Sequence, residues 1–173
     1  MATVKLKGND VKIGGTGEVN TGDKAPEVTV TNSEGLADKT VGGAQDKVQL
    51  LVVVPSLDTP VCAAETRKFN EEAAKIEGVD TTVISMDLPF AAGRFCSAEG
   101  IDNLTVASDF RNKDFANAYG VLIEEGPLAG VTCRAIFVID KDGTVTYKQI
   151  VPEITEEPEY AEAIEAAKKT AAA

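Results

Sequence analysis

Histidine does not occur anywhere in the 173 residues. That absence removes the Ser-His-Asp triad, the Cys-His dyad and every His-ligated zinc or haem centre. Cysteine is scarce. Cys62, Cys96 and Cys133 are too few and too scattered for a disulfide scaffold, and no two of them form the CxxC of a zinc ribbon or a dithiol oxidoreductase. Long apolar runs are missing too: the longest, Leu50 to Val54, stops at Pro55, far short of a bilayer span. The opening Met1-Ala2-Thr3-Val4-Lys5 lacks the apolar core of a signal peptide. These absences read as a cytoplasmic protein with reduced thiols and no membrane partner. Positive charge is outnumbered, with 17 Lys+Arg against 28 Asp+Glu for a net charge of −11, which argues against nucleic acid and anionic lipid as partners. Whatever chemistry the chain performs must use cysteine, arginine, lysine, carboxylates or hydroxyls.

The length suits one domain, residues 1–173, with residues 1–45 as a β-rich N-terminal extension packed on it. Val4-Lys5-Leu6-Lys7 and Val11-Lys12-Ile13 alternate around Asn9-Asp10, the pattern of a hairpin turning there. Glu27 to Thr31 reads as a further strand. From Val48 onward strands and helices alternate. The spacing predicts strands at 48–54, 81–86, 104–107, 135–139 and 144–151. It predicts helices at 60–76, 89–99 and 110–119, and a last helix opening with Pro158 in its first turn. An αβ alternation that ends in an antiparallel hairpin gives an α/β fold around a central mixed β-sheet flanked by helices.

Pro55-Ser56-Leu57-Asp58-Thr59-Pro60-Val61-Cys62 joins a buried strand to a helix. Thr59 suits the N-cap and Pro60 the first helical position. Cys62 then falls in the first turn, where backbone N–H groups have no intrahelical partner. Those free donors and the positive end of the helix favour thiolate over thiol. Cysteine is also a small hydrophobe that often sits inert in a core, so spacing alone leaves both readings open. With no histidine, any activating cation is an arginine or a lysine.

PSLDTPVC resembles the PxxxTxxC motif of peroxiredoxins. Further stretches are similar to the bacterial thiol peroxidases, which are atypical two-cysteine peroxiredoxins: RKFN at 67–70, SMDLPFAAGRFCSAEG at 85–100, FRNKDFANAYGV at 110–121, GPLAG at 126–130, RAIFVID at 134–140 and EITEEPEY at 153–160. The resemblance spans nearly the whole chain. It implies a thioredoxin-like fold with an N-terminal β-hairpin, a homodimer, and reduction by a thioredoxin-type partner. It also implies Cys62 as the peroxidatic cysteine, Cys96 as the resolving cysteine that closes a Cys62–Cys96 disulfide, and Arg134, Thr59 and Pro55 as active-site residues. Cys133 matches no required position.

The expected activity is reduction of hydrogen peroxide and organic hydroperoxides, with no metal or organic cofactor because sulfur carries the two electrons. Leu57, Val61, Phe90 and Phe95 are candidates for an apolar wall around the site. A redox-sensing interaction protein using the same cysteine pair is the rival reading. A thioredoxin-like module with inert thiols is a third. Gly14-Gly15-Thr16-Gly17 lacks the GxxxxGK[ST] pattern and reads as a turn. The acids Glu153, Glu156, Glu157 and Glu159 sit around a helix start rather than a metal.

Overall fold

The computed structural model describes residues 2–73 and 75–173. The chain begins with a hairpin of β1 (Ala2–Leu6) and β2 (Asn9–Gly14). Leu6 pairs with Asn9, so the turn is Lys7–Gly8 rather than Asn9-Asp10. Both turn residues have positive φ, 51° and 84°, the backbone that a two-residue turn needs to follow the strand twist. Lysine in that conformation gives no signal in the sequence, which is why the turn was expected two residues later.

The remaining elements are β3 (Val28–Asn32), β4 (Asp38–Val41), β5 (Val48–Val53), α1 (Pro60–Glu72), β6 (Val79–Ser85), α2 (Pro89–Glu99) and β7 (Thr105–Ser108), followed by α3 (Asp114–Ala118), β8 (Leu122–Ile123), β9 (Ala135–Ile139), β10 (Val145–Ile150) and α4 (Tyr160–Ala172). Seven strands form one sheet in the order β10-β9-β5-β6-β7-β3-β4, and β2 carries β8 in a second sheet of three strands. β5, β6 and β7 run parallel to one another, while β9, β10, β3 and β4 are joined antiparallel. This is the central mixed sheet with flanking helices of a thioredoxin-like α/β fold, with the N-terminal hairpin expected from the sequence.

Strand alternation divides the core in two. Leu51 and Val53 of β5 and Ala135, Phe137 and Ile139 of β9 face the cluster that includes the hairpin and α3. Leu50 and Val52, with Ile136 and Val138, face Phe69 of α1, Ala92 of α2 and Ala163 and Ala167 of α4. Every residue of β5 is buried, as a strand covered on both faces requires. Its C-terminal end delivers the chain to the Pro55–Cys62 segment.

Three helices differ in extent from expectation, and two strands lie where none was expected. α3 spans only five residues of the stretch expected to be helical over Phe110–Tyr119. The buried Asp109 carboxylate accepts from Phe115 N at 3.0 Å and Ala116 N at 2.8 Å, so the helix starts only beyond Lys113, whose φ is 55°. α1 ends at Glu72, short of Ile76. α4 has Glu159 as its N-cap, which puts Pro158 ahead of the helix rather than in its first turn. β4 and β8 carried too little apolar alternation to be seen: β4 is the polar edge Asp38-Lys39-Thr40-Val41, and β8 is two residues long.

Candidate active site

Thr59 is the N-cap of α1, with φ −90° and ψ 144°, and Pro60 opens the helix. The Cys62 amide donates to Thr59 Oγ1 at 3.3 Å, and the Thr59 hydroxyl in turn donates to the Ser56 carbonyl at 3.0 Å. The hydroxyl proton is therefore committed to backbone rather than to sulfur. Thr59→Ala removes this cap and is expected to cost about 1 kcal/mol, read by urea denaturation, with Thr59→Ser close to the parent.

The loop before the helix is clamped from the turn that follows β6. Asp87 accepts from Ser56 Oγ at 2.6 Å and from Leu57 N at 2.7 Å. Its own amide donates to Ser85 Oγ at 3.3 Å, and its carbonyl accepts from the Ser108 hydroxyl. Pro55, at the start of this loop, is buried. Asp87 thus ties the segment that carries Cys62 to the segment that opens α2. Sequence reasoning passed over it because an Asp before a helical proline looks like an ordinary turn residue.

Cys62 itself is fully buried. Its sulfur accepts from Arg134 Nη1 at 2.9 Å, so the cation that histidine could not supply is an arginine brought in from the residue before β9. Arg134 is held on three sides. Nε and Nη2 donate to the Ile154 carbonyl at 3.1 and 2.8 Å, and Nη1 also donates to Glu65 Oε2 at 2.8 Å. Burial works against the guanidinium charge, but the Cys62 sulfur and the Glu65 carboxylate outweigh it, and its pKa is raised. Glu65, one helical turn beyond Cys62, has no exposed surface. Its burial raises the carboxyl from 4.5 to about 7 even though Arg134 pulls it down. The sequence did contain a signal for Glu65, namely its i+3 position from Cys62 on an otherwise inward face.

Cys96 lies on α2, half-buried against the same cluster as Cys62. Burial pushes its thiol up, against a hydrogen bond with the Ser33 hydroxyl. It borders a cleft of about 840 Å³ lined by Ser33, Glu34, Gly93 and Ile101 among others. Both thiols are free. α2 is poorly anchored: Leu88 at its N-cap supplies no side-chain bond, and only Pro89 and Ala92 are buried along it. Its C-terminal end rests on α1 through Asn70, which donates to the Gly100 carbonyl at 3.5 Å and accepts from Asn103 N at 3.0 Å. Gly100 takes the left-handed φ of 68° that ends the helix, the backbone for which glycine is favoured.

Cys133 sits on the opposite side of the sheet, in the cluster around Phe115 and Tyr119. Burial pushes its thiol up to about 12. Of the expected apolar wall, Leu57 is buried and Phe95 packs against the Cys62 cluster. Phe90, 72% exposed, points to solvent with Leu88 beside it. Glu153 accepts from the Gly8 and Thr155 amides, a structural latch between the hairpin and the loop before α4.

The redoxin family model matches residues 20–164. The thiol peroxidase of Aquifex aeolicus is 58% identical over 167 residues, covering 96% of this chain and 97% of that protein. The thiol peroxidase of Bacillus subtilis is 47% identical over 169 residues, covering 97% and 98%. Among solved structures, the peroxiredoxin-like protein from Aquifex aeolicus superposes with a TM-score of 0.93 at 57% identity, covering 97% of this chain and 96% of that one. Thiol peroxidase from Chromobacterium violaceum shares the fold, with a TM-score of 0.84 at 22% identity over 96% and 95% of the two chains. The chain belongs to the redoxin family and, within it, to the thiol peroxidases, enzymes that reduce peroxides with a cysteine thiol.

Proposed function

We propose that Cys62 is the sulfur that attacks the peroxide and that Cys96 resolves it. The observation that carries this reading is Arg134 Nη1 set 2.9 Å from Cys62 Sγ in the first turn of α1. The thiolate attacks the terminal oxygen of ROOH. An S–O bond forms, the O–O bond breaks, and the departing alkoxide takes up a proton, leaving a sulfenic acid on Cys62. Of the five N–H bonds of Arg134, four are already directed to Ile154, Cys62 and Glu65. The fifth, on Nη2, is free to steady the developing charge on the peroxide oxygens. Thr59 supports the step by fixing the helix start, and Pro55 by shielding the sulfur. The Cys96 thiol then condenses with the sulfenic acid, releasing water and forming the Cys62–Cys96 disulfide. A dithiol protein of the thioredoxin type returns the two electrons.

The fully buried Cys62 meets a peroxide only when the Asp87-clamped loop yields, so access and chemistry are coupled. Leu57 and Phe95 beside the sulfur's cluster favour alkyl hydroperoxides along with hydrogen peroxide. We also infer a single domain, because one core cluster draws on Val4, Ile13 and Val41 together with Val53, Phe137 and Ile154. A cytoplasmic homodimer completes the reading, with Leu88 and Phe90 as exposed apolar surface available to it. Family membership favours turnover over sensing alone.

The test is to treat reduced protein with one equivalent of hydrogen peroxide and map the disulfides by non-reducing peptide mass spectrometry. A Cys62–Cys96 bridge, replaced by sulfenic acid on Cys62 in Cys96→Ser, is expected. Three unmodified thiols would refute the assignment.

A further inference from the structure

Glu65 is the one group at the site that the peroxidase chemistry leaves without a task. It is fully buried, and only one of its carboxylate oxygens has a partner: Oε2 accepts from Arg134, while Oε1 has none among the described residues. Arg134 Nη1 stands between two acids, 2.9 Å from the Cys62 sulfur and 2.8 Å from Glu65 Oε2. There is one cation for two groups that can each become an anion.

We propose that Cys62 and Glu65 share a single proton across Arg134, making Glu65 the positioning residue that sets when the thiolate exists. When the S–H bond breaks, an O–H bond forms on Glu65, and the reverse. No electrons change hands, and the Arg134–Cys62–Glu65 cluster stays neutral in either form. The physical reason is the cost of burial. A buried cluster with one guanidinium balances one anion, and a second anion in the same dry space is unpaired. Such a pair titrates as a unit, in two steps that belong to both groups.

The surroundings agree. Burial raises the Glu65 carboxyl to about 7. The other ionisable groups facing Glu65 come from the approach to α4 and from its first residue: Glu157, whose charge pushes in the same direction, and Tyr160, whose hydroxyl donates to Glu157 Oε1 at 2.8 Å. Neither brings a second cation.

The inference rests on Cys62 being the reactive sulfur, and its test uses no peroxide. Thiolate absorbance is followed against pH in the Cys96→Ser background, where Cys133 stays silent because its thiol is pushed up to about 12. The parent is expected to ionise in two steps. E65Q keeps an oxygen acceptor for Nη1 but cannot become an anion, so Arg134 serves sulfur alone. Its thiolate is expected to form in one step at lower pH, with about tenfold more thiolate than the parent at about pH 6. A two-step curve unchanged in E65Q, or a shift of the thiolate to higher pH, overturns the proposal.

A second measurement does not require E65Q to fold. The protonated-carboxyl stretch of Glu65 is followed by infrared difference spectroscopy in the parent and in Cys62→Ser. Loss of the competing sulfur is expected to let Glu65 ionise at lower pH, and identical carboxyl curves overturn the proposal. Peroxide consumption by the parent, assayed separately, tells a failure of the peroxidase reading from a failure of proton sharing.

Discussion

Arg134→Met is expected to lower kcat/KM for hydrogen peroxide by about 10²- to 10³-fold. The same change should destabilise the fold by about 3–5 kcal/mol. The two losses have different origins. The kinetic loss follows from removing both the donor to Cys62 Sγ and the free Nη2 hydrogen, and methionine replaces neither. The stability loss follows from Glu65, which is left buried without its cation, and from the Ile154 carbonyl, which loses both of its donors.

The origins separate with pH. Glu65 is raised in the folded protein from 4.5 to about 7, and Arg134 is among the influences that lower it, so removing Arg134 raises it further. A folded carboxyl raised above its unfolded value contributes stability that is full below the unfolded value and is lost as pH rises through the folded one. In the parent that decline ends near 7. In the variant it continues to higher pH. The stability gap between the two should therefore widen from about pH 5 to about pH 8. Urea denaturation at both values measures it, and a gap independent of pH would show that Glu65 is not the group left unpaired. Arg134→Lys keeps the charge but loses the fork that serves Ile154, sulfur and carboxylate at once, and should fall between methionine and the parent.

The second large effect is on backbone order. Oxidation to the Cys62–Cys96 disulfide should raise amide hydrogen exchange across residues 89–100 by at least about 100-fold, while β5 and β9 stay protected. A bridge needs the two Cα atoms within about 7 Å and the Cβ vectors turned toward each other. Cys62 is fixed by the Thr59 cap, by Arg134 and by complete burial. Cys96 lies on a helix with no N-terminal side-chain cap and little buried surface, with Gly93 inside it. The less anchored partner is the one that moves. Exchange along 89–100 that is the same in the oxidised and reduced proteins would mean that the pair closes without unwinding.

The parts of the fold that were legible in the sequence are those where one physical requirement dominates. β5 and β9 announced themselves because strands buried on both faces must be apolar throughout. The start of α1 was visible because a threonine cap followed by proline has few other uses. The limits of α2 were visible because Pro89 and Gly100 punctuate both ends. The hairpin turn at Lys7–Gly8 was hidden because lysine gives no local sign of the positive φ that Lys7 adopts there. α3 was overestimated because a buried carboxylate, Asp109, set its start from outside the helix.

Legibility of the site divides in the same way. Cys62, Thr59 and Pro55 are contiguous and could be read as a segment. Arg134 came through the family resemblance, since nothing in its local sequence reveals that it reaches back 72 positions to sulfur. Glu65 shares the inward face of α1 with Cys62, but its partner Arg134 is distant in sequence, and Asp87 acts through the Ser56 hydroxyl and the Leu57 amide, tertiary contacts with no local signature.

Cys133 and Arg134 are neighbours in sequence, yet strand alternation places them on opposite sides of the sheet. One side chain donates to the Cys62 sulfur, and the other is sealed in the hairpin-side cluster. A thiol reagent that cannot enter a closed core meets Cys133 only in molecules that have come fully apart. In a chain whose other two cysteines are replaced by serine, the labelling rate at this position becomes a clock for whole-molecule opening. The protein carries its own gauge of how often it unfolds, one residue away from the arginine that meets the Cys62 sulfur.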